Sequence, residues 1–124
     1  GPGGFGGGGG GTTRTVDVTG AGSDNAADAD VTYDFAGGEY DYTIENFDTG
    51  DTLDFEDVAG TEQAIFNVLT DADPTDGQKQ VTAADGNTGG TVEVTLTGLT
   101  TQQEADVFNQ SSFTETFGAE SLIL

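Results

Sequence analysis

Cysteine is absent, which excludes disulfides and thiol chemistry. Histidine is absent too, so a structural zinc site loses both of its usual ligand types. There is no tryptophan to act as a stacking platform and no methionine. No apolar run approaches the roughly 20 residues that a membrane-spanning helix needs, so no membrane span is expected. Positive charge is the scarcest commodity. Arg14 and Lys79 stand alone against 23 acidic residues, giving a net charge of -21 over 124 residues. Such a surface repels phosphate backbones and anionic head groups, so nucleic acid and membrane surfaces are poor partners. It also repels itself. High salt or divalent cations relieve that cost, and both point to an extracellular setting.

What the chain does have is glycine, aspartate and short alternating apolar runs. Asp outnumbers Glu 15 to 8, a bias that favours turns and hard-cation sites over helices. Residues 1–11, nine glycines broken only by Pro2 and Phe5, read as an uncharged flexible arm. Residues 12–124 read as a single β domain whose apolar content is sufficient for one core. Its organising stretch is Ile44 to Asp57, where two alternating runs flank the turn Asp48-Thr49-Gly50-Asp51.

Strands are expected at Thr12–Thr19, Val31–Phe35, Glu39–Phe47, Thr52–Phe55, Ala64–Thr70, Gln78–Ala83 and Gly90–Thr97, from their period of two. Val31–Phe35 and Glu39–Phe47 read as a hairpin across Ala36-Gly37-Gly38, and Asp85-Gly86-Asn87 as a hairpin turn. Gly20–Asp30 reads as an acidic loop. Thr100 or Thr101 caps a short helix over Gln102–Asn109 with Ala105 and Phe108 buried. A further turn pairs Phe113 with Phe117 and stops at Gly118. The expected fold is therefore all-β, an antiparallel β-sandwich of six to eight strands with one or two short C-terminal helices.

Two acidic groups are candidate calcium sites. Asp71, Asp73 and Asp76 lie within six residues ahead of Gly77, although an EF-hand would place its glycine one position earlier and a bidentate Glu near Thr82 or Ala83. Asp48, Asp51, Asp54 and Asp57 recur every three residues around the central turn and converge on an ion only if the chain curls there, with Asp24, Asp28 and Asp30 a lesser third group. The alternative in each case is a solvated acidic turn. Carboxylate-pair glycoside chemistry lacks an aromatic platform here, and the serines lack a base, so no catalytic group is expected.

The residues Ile44, Phe47, Gly50, Asp51, Leu53 and Asp54 resemble a pattern, Ile-x-x-Phe-x-x-Gly-Asp-x-Leu-Asp, at the C-terminal flank of calcium-binding repeat proteins exported by type I secretion. The stretch from Val94 to Thr100, and that from Phe117 to Leu124, resemble the end of the "bluetail" surface-protein domain. The resemblance covers about residues 31–124. It implies export through the type I secretion machinery, addressed by an uncleaved end with Glu120 and Leu122-Ile123-Leu124. The glycine-rich nonapeptide tandem of that family is missing, so its calcium sites do not carry over.

The expected function is a non-enzymatic, extracellular or cell-surface structural subunit that self-associates into a homo-oligomer, fibre or surface layer. Its N-terminal strand would complete a neighbour's sheet. Val16 and Val18 are the inserted anchors, Phe5 an arm contact, and Leu122, Ile123 and Leu124 a second docking element. The alternative is a monomeric, calcium-stabilised C-terminal secretion or targeting module of a larger secreted protein.

Overall fold

The computed structural model describes residues 12–58, the strand at 67–68, and residues 76–124. Nine strands are described: β1 (Thr13–Val18), β2 (Gly22–Asn25), β3 (Asp30–Phe35), β4 (Tyr40–Glu45), β5 (Thr52–Asp54), β6 (Asn67–Val68), β7 (Lys79–Ala84), β8 (Thr91–Thr97) and β9 (Leu122–Ile123). Two helices, α1 (Thr101–Asp106) and α2 (Gln110–Phe117), precede β9, and a 3-10 turn spans Ala26–Asp28.

The strands form two sheets, β1-β3-β5-β9 and β2-β4-β8-β7-β6. The chain alternates between them from β1 to β6, runs β6, β7 and β8 in the second sheet, and returns to the first with β9. Every neighbour pair in the first sheet is parallel, and so are β2–β4 and β4–β8 in the second. Only β6–β7 and β7–β8 run antiparallel. Thr13 faces Asp30, 17 positions on, and Gly22 faces Tyr42, 20 positions on, which sets the length of one circuit.

The antiparallel β-sandwich is thereby corrected to an α/β arrangement of mostly parallel sheets with two C-terminal helices. A period of two locates strands but carries no information on their direction. The Ala36–Glu39 turn does not close a hairpin; it carries the chain from β3 in one sheet to β4 in the other. The Asp48–Asp51 turn carries it back to β5. Asp85–Gly90 is a true hairpin turn, with Asp85 N–H donating to Gly90 O at 2.8 Å.

Parallel register stacks like residues on like. On the inner face Val16, Tyr33, Leu53 and Leu122 form one rung, and Val18 and Phe35 the next. Phe35 and Phe55 stack at 4.8 Å, and Tyr42 meets Phe35 edge-on at 6.1 Å. From the other sheet Ile44, Val81, Val92, Val94 and Leu96 close the core, all fully buried.

Thr100 caps α1 through its hydroxyl on Gln103 N–H, and the Gln103 side chain accepts from Thr100 N–H in return. Asn109 caps α2, its side-chain oxygen accepting from Ser112 N–H. Phe113 and Phe117 lie 5.0 Å apart and both contact Phe47, as their spacing predicts. The buried face of α1 is shifted by one position from expectation: Glu104 and Val107 are inside, whereas Phe108 is 66% exposed. Among the described residues no helix is long and apolar enough to cross a membrane.

Candidate functional site

The first circuit of the chain, β1 and β2, holds the densest polar network. Arg14 sits in register with buried Val31, so its side chain turns inward between the sheets. There its Nη2 donates to Asp24 of β2 at 2.7 Å, to Asn25 O at 2.8 Å and to Asp28 Oδ1 at 3.0 Å, while Nε donates to Asp28 Oδ2 at 3.2 Å. The Tyr33 hydroxyl donates to the same Asp24 oxygen at 2.7 Å. The hydrogen bonds to Asp24 and then Asp28 hold the guanidinium charged well beyond its ordinary range, and Arg14 in turn depresses Asp28. Burial, then the Asp24 contact, pushes the Tyr33 phenol up.

β1 is the outermost strand of its sheet among the described residues. Asp30 N–H donates to Thr12 O and Ala36 N–H to Val18 O. Backbone groups of the even-numbered residues therefore face β3, and those of Thr13, Thr15 and Asp17 face the open edge. Val18 is fully buried and Val16 partly so, both in this chain's own core. Phe5 lies outside the described residues. At the other end Leu122 pairs with Leu53, Leu124 packs on the core, and Ile123 is 37% exposed.

The outer faces carry acidic ladders. Asp17, Asp34 and Asp54 stand side by side on β1, β3 and β5, and Asp41 stands beside Glu93 on β4 and β8. Neighbouring strands lie about 4.8 Å apart, so like charges in such rows repel. Burial, and after it the charges of Asp54 and Asp57, raise the Asp34 carboxyl. Glu93 is raised by its hydrogen bond to Asp41 and then by that neighbour's charge, with Glu39 contributing.

In the central turn the candidate calcium carboxylates Asp48, Asp51 and Asp54 each accept a hydrogen bond from a backbone N–H. Asp51 is buried; one oxygen accepts from Val31 N–H at 2.9 Å and the other from Asp48 N–H at 2.8 Å. β5 begins only at Thr52, opposite Thr32, so the Asp51 side chain extends the ladder by one rung for Val31. Asp48 Oδ1 accepts from Thr49 N–H and from Gln103 Nε2, tying the turn to α1. Asp54 accepts from Glu56 N–H. Asp76 accepts from Gln78 N–H, whereas Asp71 and Asp73 lie outside the described residues. Among the described residues no three acidic side chains converge to hold a metal.

Sequence reasoning missed the Arg14 network, although a lone arginine in so acidic a chain was its signal. It also missed Glu104, which is fully buried with Oε1 accepting from Gly77 N–H at 2.7 Å and Oε2 without a partner among the described residues. Tyr40 serves as a structural brace: its hydroxyl donates to Ala36 O at 2.6 Å, and burial pushes its pKa up to about 12.

No family model, curated protein or solved structure matches the chain. Geometry alone thus defines its class, a two-sheet, mostly parallel winding with an exposed first strand and an acidic exterior.

Proposed function

We propose that this chain is a non-enzymatic structural subunit of an extracellular or cell-surface assembly, exported by type I secretion, which self-associates by donating its N-terminal strand. The supporting observation is the placement of β1. Among the described residues it is an edge strand with a single partner strand, β3, and it follows the uncharged stretch 1–11. Strand exchange needs a detachable edge element, because every backbone bond it breaks is remade on the recipient. The acidic exterior sets the conditions: copies of a chain with net charge -21 approach one another only where salt or divalent cations screen them. Deleting residues 1–19 should abolish association in seawater-like salt. A deletion product that associates as the full chain does eliminates strand donation.

The second reading is a monomeric C-terminal targeting module stabilised by calcium. The rows Asp17–Asp34–Asp54 and Asp41–Glu93 favour it, because a divalent ion would relieve their repulsion. A site held at 100-fold excess over its dissociation constant adds about 2.7 kcal/mol of stability. A melting temperature that calcium leaves unmoved at moderate salt eliminates that reading.

A further inference from the structure

We infer that Arg14 is an electrostatic latch: its ion pairs to Asp24 and Asp28 hold β1 on its own sheet, and rising salt releases the strand. The inference rests on the strand-donation reading for its purpose but stands on its own geometry. Apart from Arg14, β1 is held by its six-residue ladder to β3, by the Tyr40 hydroxyl donating to Val18 O and by modest side-chain burial. Its one fully buried side chain is Val18, whereas β3 alone buries Val31, Tyr33 and Phe35 completely. Arg14 adds to that hold by reaching from β1 to β2 at Asp24, to Asn25 O, and to the 3-10 turn at Asp28. The guanidinium is bidentate on Asp28, the geometry in which arginine pairs best.

The pair is also exposed enough to be screened. The Arg14 side chain is 30% exposed, and those of Asp24 and Asp28 are 23% and 65% exposed. Salt is therefore expected to act in opposite directions on the two parts of the molecule. It weakens the latch while relieving repulsion along the acidic ladders, so β1 loosens as the remainder tightens. A strand that leaves finds the same partners on a second copy, including that copy's Asp24 and Asp28. The latch therefore governs the rate of exchange more than the final balance.

The test is amide hydrogen exchange on the full chain, for the native protein, Arg14→Gln and Arg14→Lys, at low salt and at about 1 M salt, where the Debye length is about 3 Å. At low salt Arg14→Gln should raise opening of the β3-facing amides of residues 14, 16 and 18 about tenfold, the scale of losing a charged hydrogen-bond set partly open to solvent. Protection in β4, β8 and α2 should be unchanged, Arg14→Lys should restore part of the loss, and high salt should close the gap between variants. Unchanged β1 exchange in Arg14→Gln overturns the latch, as does a loss spread evenly over the chain. Asp24→Asn with Asp28→Asn provides an independent variant with the same expectation. Mixing two isotopically labelled preparations and counting mixed oligomers by native mass spectrometry separates the two readings. Faster mixing in Arg14→Gln supports both. Selective β1 opening with no mixing supports the latch and overturns strand donation.

Discussion

The first circuit and the C-terminal helices solve the same problem with different physics. Each must finish a sheet stack whose middle is apolar. At the C-terminal side, Phe113 and Phe117 of α2 close on Phe47, all fully or almost fully buried. At the N-terminal side the inward positions of β1 and β2 include Arg14 and Asp24, joined by an ion pair at 2.7 Å. Apolar closure is indifferent to ionic strength and strengthens with area. Ionic closure is directional and yields to salt and acid. An inward-pointing charge on an edge strand also discourages random edge pairing. The comparison teaches that one end of this molecule is built to stay shut and the other to be conditional.

The largest break in that comparison is Phe117→Ala. Its cavity should cost about 3–5 kcal/mol, read as a lowered urea midpoint, with the same loss at low and high salt. Asp51→Ala comes next. It strands the N–H groups of Val31 and Asp48 and should cost about 2–3 kcal/mol. Chelators should leave the native protein's midpoint unmoved by this site, since Asp51 is used on backbone. Thr100→Ala removes the cap of α1 and should cost about 1 kcal/mol, again independent of salt.

The smallest effect is the pH response, and it sharpens the contrast most finely. Asp34 and Glu93 have folded values raised above their ordinary 3.8 and 4.5, so each stabilises the fold when protonated. That contribution is complete below the ordinary value and is lost as pH rises through the folded one. Asp28 is depressed below 3.8, so its contribution is present above that value and is lost as pH falls through the lower folded one. At low salt the midpoint should therefore rise on mild acidification from neutrality and then fall as Asp28 protonates. Glu93→Gln should remove part of the rise and none of the fall.

Much of the local structure was legible in the sequence. β8 alternates strictly because its two faces meet core and water, and the Thr100–Gln103 box marks the start of α1 where the pattern places it. Strand direction was not legible, because alternation is the same for both. β2 was invisible: Gly22-Ser23-Asp24-Asn25 has no apolar residue. Its inward position is Asp24, paired with Arg14, and Gly22 lies so close under Tyr42 that a Cβ would sit 3.3 Å from the ring. Phe108 misled for a related reason, since Val107 and a buried carboxyl, Glu104, took the inner face of α1. At the candidate site the acidic turn looked like a cation loop because aspartate serves both purposes. Only the register, which puts Val31 one rung beyond the start of β5, shows that Asp51 completes a sheet. The ladders of like charge were equally hidden, because they exist only once parallel strands align residues from separate circuits.

The alternating parallel register underlies the edge position of β1, the latch and the acidic ladders alike. Interstrand nuclear Overhauser contacts in the labelled protein test it directly. The register described here requires contacts linking Thr15 to Thr32 and Thr32 to Thr52, and others linking Tyr42 to Val94. Hairpin contacts between the Asp30–Phe35 and Tyr40–Glu45 strands, with no signal between Thr15 and Thr32, would contradict it.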